Sequence, residues 1–130
     1  ISKNMSSYID AFLFPIAEEH LQEYQKVAET VAAIWMEYGA QAYYEFVGDD
    51  LSLPGTKSFV EAAGLKENEL VIFGWALFPS KDIRDDANMK VPQDPRMSKL
   101  VGPLMQPDRK IFDASRMLYG GFKFLTGITG

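Results

Sequence analysis

The chain predicts an α+β fold: one antiparallel sheet with helices packed on one side. Three features carry that expectation. A single long helical stripe follows a short aromatic strand. Alternating segments recur at residues 40–50 and 115–127. Between them, residues 69–79 form a run that is apolar on both faces.

The first strand is "YIDAFLFP", residues 8–15, aromatic-rich and ended by proline. Tyr8, Asp10, Phe12 and Phe14 share one face, and Ile9, Ala11 and Leu13 the other. Asp10 among aromatics is the oddity, and a position near a strand end in water is its simplest reading. Leu21, Tyr24, Ala28, Val31, Trp35 and Tyr38 then recur at helical spacing along one face. Glu18 and Glu19 stand near the start, where the helix dipole favours anions, and Gly39 is the expected left-handed terminator.

"AQAYYEFVGDD", residues 40–50, alternates as a second strand and ends in a polar turn. Residues 51–68 lose the pattern, with room for a short strand or a turn of helix around Phe59. The third strand, residues 69–79, needs cover on both faces. Ser80 is placed to cap a second helix that Pro92 ends, with Ile83, Ala87 and Val91 facing the sheet. Pro95, Pro103 and Pro107 are expected to keep the next segment irregular. A last strand follows at 115–127, where Gly120 and Gly121 suggest a bulge or a close backbone approach.

Strand, helix, strand, strand, helix, strand is the ferredoxin-like βαββαβ plan, with two helices on one face of the sheet. Its other face would be bare, yet the strands carry apolar groups on both sides. A twofold homodimer joining the two open faces is the economical solution.

Composition narrows the function. The chain has 130 residues, a formal net charge of -5 and no cysteine. It reads as one domain over residues 5–130, with Met5 a natural start and residues 1–4 left over from expression. Absence of cysteine removes disulfides, thiolate metal sites and a cysteine nucleophile. Interspersed acidic charge without a basic stripe argues against nucleic acid. The longest apolar run, Leu70 to Phe78, is too short to span a bilayer. A cytoplasmic protein is expected, with no membrane partner and no cofactor.

His20 is the only histidine, which rules out a histidine triad or a multi-histidine metal site within one chain. "GDD" at residues 48–50 has no third ligand at a recognisable spacing, so no metal is expected. Tyr43, Tyr44, Phe73, Trp75 and Tyr119 are read as core or dimer packing rather than an RNA-stacking sheet, given the acidic charge. Polar groups set among apolar ones remain: Asp10, Glu45, Arg84, Asn88, Arg116 and Tyr119. The candidate ligand pocket between sheet and helices comprises Trp35, Trp75, Arg84, Asn88, Arg116 and Tyr119. An arginine there would orient an anionic or carbonyl-bearing ligand, and Tyr119 could donate a hydrogen bond. The alternative is that these groups pair with Asp85, Asp94 or Asp113 and pin "VPQDPRM". Within "RDDANMKVPQDPR", Asp86 and Lys90 form an exposed pair, Arg96 reads as a clamp, and only Arg84 and Asn88 are pocket candidates.

"YIDAFLFPI", "EYGAQAYYEFVGDD", "VIFGWALFPSKDIRDDANMKVPQDPRM" and "FDASRMLYGGFKFL" resemble the YbaA-like bacterial proteins, the domain-of-unknown-function family DUF1428. The resemblance runs from Tyr8 to Leu125 and implies the dimeric α/β-barrel superfamily. That superfamily includes cofactor-independent oxygenases, isomerases, haem enzymes and proteins that only bind ligands, so fold does not choose the activity. It implies no catalytic residue. One departure is Tyr38, in "EYGA", where the family typically has histidine. The expected function is a homodimer that binds a small organic molecule. A cofactor-independent oxygenase or isomerase using Tyr119, Arg84 and Arg116 is the alternative, and a protein-interaction module the third reading.

Overall fold

In a computed structural model the described residues are 5–130, so the reading of residues 1–4 lies outside them. Strand β1 (Tyr8–Ala17) leads through a 3-10 turn (Glu18–His20) into helix α1 (Leu21–Glu37). Then come β2 (Ala42–Val47), the short helix α2 (Phe59–Ala63), β3 (Glu69–Phe78) and α3 (Lys81–Lys90). Helix α4 (Pro95–Val101), the small hairpin β4 (Met105–Gln106) and β5 (Arg109–Lys110), and β6 (Leu118–Lys123) complete the chain. The main sheet has the order β2-β3-β1-β6, with every neighbouring pair antiparallel. This is the ferredoxin-like α+β arrangement that the element order predicts.

Local chemistry sets the boundaries. Gly39, at φ +115°, turns the chain out of α1, and a Cβ there would stand 2.6 Å from the Ile83 side chain. The Ser80 hydroxyl accepts from the Ile83 N–H at 3.2 Å and starts α3, whose Ala87 is fully buried, as is Val91 just beyond it. Pro15 does not end β1. Pairing with β6 stops at Leu13, so beyond it that side of the strand is an edge, where a missing N–H is tolerated.

Two expectations are corrected. The proline-rich segment is not irregular: Pro95 occupies the first turn of α4, and Asp94 Oδ1 accepts from the Arg96 N–H at 2.9 Å. Proline there has no intrahelical hydrogen bond to lose, so it starts the helix. Nor is the second sheet face wholly bare. Leu51, Ala63 and Leu65, from the 51–68 connection and α2, pack on Leu13 and Val71 and cover one end of that face. Helix α2 confirms the turn of helix expected around Phe59.

What stays open is apolar and mostly aromatic. Tyr44, Phe46, Phe73, Leu118 and Phe122 are each at least 39% exposed on that face. Trp75 lies among them, its ring 4.9 Å from that of Tyr44. Among the described residues no helix is long and apolar enough to cross a membrane.

Candidate functional site

The register places alternate residues of the strands beneath the helices. Asp10, Ala76, Gly121 and Tyr43 form one row, and Phe12, Gly74, Tyr119 and Glu45 the next. Above these rows lies a cavity of about 280 Å³. Its walls are Phe12 and Phe14 of β1, Val27, Ala28 and Val31 of α1, and Met97 and Val101 of α4. Position 74 carries no side chain, so the Phe12 ring lies over the strand there and forms part of the wall. A Cβ on Gly74 would come within 2.2 Å of the Phe12 ring and 3.0 Å of Glu45 Cγ.

Two polar stations interrupt this apolar lining. At the first, Glu45 receives hydrogen bonds from Tyr24 and Tyr43, Tyr24 to Oε1 and Tyr43 to Oε2, the latter at 2.9 Å. Burial pushes the Glu45 carboxyl above the usual carboxylate range, and the two hydroxyl donors pull the other way. Burial and the Glu45 carboxyl both push the two tyrosines well above the ordinary phenol value, so each hydroxyl keeps its proton.

The second station is centred on Asp10. Its Oδ1 accepts from Arg84 Nε at 2.9 Å and from the Tyr119 hydroxyl at 2.7 Å. Tyr119 in turn accepts from Arg84 Nη2 at 2.9 Å and from the Asn88 amide at 3.3 Å. Arg84 also donates to Asp85 and lies over the Tyr8 ring, 4.9 Å from its centroid. Gly121 makes room for this stack, since a Cβ there would stand 2.5 Å from Arg84 Nη2 and 2.6 Å from the Tyr8 hydroxyl. Asp10 is therefore not in water at a strand end: it is 6% exposed and paired.

The sequence candidates divide accordingly. Trp35, Asn88 and Tyr119 line the cavity. Arg84 stands behind Asp10 and Tyr119 and fixes both, without lining the cavity itself. Arg116 lies elsewhere: it chelates Glu69 at 2.7 and 2.8 Å and donates to the Gly64 carbonyl at 2.8 Å, tying the end of α2 to the start of β3. Trp75 is on the opposite sheet face, because a strand sends odd and even residues to opposite sides and Ala76 takes the cavity side.

Arg96 is the clamp expected of it. It bridges Glu37 and Asp94, while the Tyr38 hydroxyl donates to Asp94 Oδ2 at 2.8 Å, joining the end of α1 to the start of α4. Asp86 and Lys90 pair at 3.0 Å on the exposed side of α3. The pairing of Glu45 with Tyr24 and Tyr43 is not among the sequence expectations. Its visible signal was the i, i+2 spacing of Tyr43 and Glu45, which puts both on one strand face. Among the described residues no group of three or more metal-ligating side chains converges.

Fold and site together define a ferredoxin-like α+β protein with an apolar, carboxyl-bearing cavity between its sheet and its helices. The chain belongs to the DUF1428 family of proteins of unknown function, whose pattern spans residues 7–113. It is 36% identical over 116 residues to the uncharacterized protein YbaA of Escherichia coli K12, covering 89% of this chain and 94% of that one. The Shigella flexneri YbaA matches to the same degree. Two solved structures share the fold. SnoaB, a cofactor-independent oxygenase from Streptomyces nogalater solved as an N63A mutant, superposes with a TM-score of 0.54 at 14% identity, over 96% of this chain and 99% of that one. A nipsnap family protein of unknown function from Agrobacterium tumefaciens gives 0.53 at 16% identity, over 92% and 88%.

Proposed function

We propose that this protein is a homodimer that holds a small, largely apolar organic molecule between its sheet and its helices. The observation that carries the reading is the cavity of about 280 Å³, walled by side chains from β1, α1 and α4, with the half-buried Glu45 carboxyl on its floor. Apolar walls with a few placed polar groups are the usual make-up of a small-molecule site. The aromatic patch around Trp75, Tyr44 and Phe73 supports the second copy, since exposed apolar surface of this kind favours burial against a partner.

The test uses 2-methoxynaphthalene, a neutral and largely apolar probe. Saturable binding and a raised melting temperature are expected for the native protein. Both should vanish in Ala28→Phe, which fills the cavity from α1. Binding that survives this substitution places the ligand elsewhere, and no binding at all removes the reading. Sedimentation at micromolar concentration should give twice the chain mass, and a monomer would sink the homodimer.

A cofactor-independent oxygenase or isomerase is the second reading, favoured by one observation. Glu45 is a half-buried carboxyl that burial pushes above the usual carboxylate range, set in an apolar cavity, and such a carboxylate can serve as a general base. Arg84 and Arg116 do not support the polarising role foreseen for them, being bound to Asp10, Asp85 and Glu69. Oxygen uptake with phenolic substrates that is lost in Glu45→Gln would favour catalysis. Uptake unchanged by that substitution would oppose it.

A further inference from the structure

The proton inventory of the cavity identifies the chemistry of its occupant, an inference that rests on the ligand-binding reading above. The Tyr24 hydroxyl has one proton and gives it to Glu45 Oε1, and the Tyr43 hydroxyl gives its own to Oε2. A carboxylate offers about four lone-pair sites, so each oxygen retains acceptor capacity after these two bonds. The cluster therefore presents acceptors and has no donor left over.

Charge points the same way. Asp10 and Glu45 both line the cavity, and among the described residues no lysine, arginine or histidine does. The cations that could have served an anionic ligand are engaged elsewhere: Arg84 by Asp10 and Asp85, Arg116 by Glu69, Arg96 by Glu37 and Asp94, and Arg109 by Glu23. A bound carboxylate would be desolvated beside carboxyl groups with no cation to meet it, which is strongly unfavourable. Tyr119 offers no substitute, because its hydroxyl already donates its one proton to Asp10 Oδ1. The donors that remain in the lining are neutral, the second N–H of the Asn88 amide and the indole N–H of Trp35, and neither supplies a positive charge.

We propose that the cavity selects an uncharged, largely apolar molecule that donates one hydrogen bond, a phenol or an alcohol, to the Glu45 carboxyl, and that it rejects carboxylates. This reverses the expectation of an anionic ligand held by arginines.

Three probes of one shape test it by titration calorimetry: 2-naphthol, 2-methoxynaphthalene and 2-naphthoate. The native protein should bind the naphthol roughly tenfold more tightly than the ether, the worth of a hydrogen bond to a charged acceptor, and should not bind the naphthoate. In Glu45→Gln the advantage of the naphthol should shrink to about threefold or less, the difference between a charged and a neutral acceptor. The circular dichroism and melting transition of the variant certify that it is folded, and the naphthoate should begin to bind. Naphthoate binding the native protein as well as naphthol does would overturn the proposal while leaving the cavity as a ligand site. So would a naphthol-to-ether ratio unchanged in Glu45→Gln. Failure of both naphthol and ether would remove the ligand site itself, and the proposal with it. If Glu45→Gln does not fold, the order of the three probes on the native protein decides alone.

Discussion

The two faces of the sheet are built from similar side chains and come to opposite ends. Phe12, Phe14 and Tyr43 line the helix side, and Tyr44, Phe46, Phe73 and Trp75 the other. Aromatic content does not distinguish them; the placement of polar groups does. Asp10, Glu45 and Tyr119 all project to the helix side, where each has a defined hydrogen-bond partner. On the open side the row Ala11, Trp75, Tyr44 and Gly120 and the row Leu13, Phe73, Phe46 and Leu118 contain no charged residue. A concave apolar pocket with fixed acceptors suits a small molecule. A flat aromatic surface without charge suits a broad partner surface.

The largest expected effect is on the helix side. Arg84→Ala leaves Asp10 buried without its cation and should cost about 3 kcal/mol in urea unfolding, the low end for a broken buried pair because Tyr119 still donates. A loss under about 1 kcal/mol would mean that water solvates Asp10 and that the polar station is loose. Gly74→Ala comes next. The added methyl would drive the Phe12 ring and Glu45 apart, with an overpacking cost of about 2 kcal/mol and weakened ligand binding.

On the open side the expectation is different in kind. Phe122, 55% exposed, should tolerate Phe122→Lys within about 0.5 kcal/mol of monomer stability, while the charge disrupts association in sedimentation. A large loss of stability with association intact would make that residue core, and the two faces alike.

The smallest effect concerns the roof of the cavity. Hydrogen bonds from Arg96 and Tyr38 hold the Asp94 carboxyl well below the usual carboxylate range. A depressed folded pKa stabilises above the unfolded value, near 3.8, and that stabilisation is lost as pH falls through the folded one. Native melting temperatures should therefore fall more steeply below about pH 4 than those of Asp94→Asn, and equal slopes would show that the clamp is weak in solution.

Periodicity made the fold legible because helix and strand spacings are local. The stripe from Leu21 to Tyr38, the alternation in β2 and the Ser80 cap needed no tertiary knowledge. Helix α4 was hidden because proline reads as a breaker unless it is seen at a first turn, and that depends on Asp94 acting as the cap. The site was half legible. Trp35, Asn88 and Tyr119 were found as polar or aromatic groups near helix and strand. Trp75 falls outside the site because strand parity sends it to the other face, and Arg116 because Glu69, 47 positions away, takes its guanidinium. Asp10 and Arg84 lie 74 positions apart, and their pairing depends on β1 and α3 meeting. Only the assembled sheet brings Tyr24 of α1 to Glu45 of β2.

The central claim is that ligand and partner use opposite faces of one sheet. Nuclear Overhauser contacts from bound 2-naphthol to methyl-labelled protein test it most directly. Contacts to Val27, Val31, Val101 and Leu104, and none to Ile9, Leu77 or Leu118, are the predicted result. Contacts to Leu77 and Leu118, with the helix-side methyls silent, would contradict it.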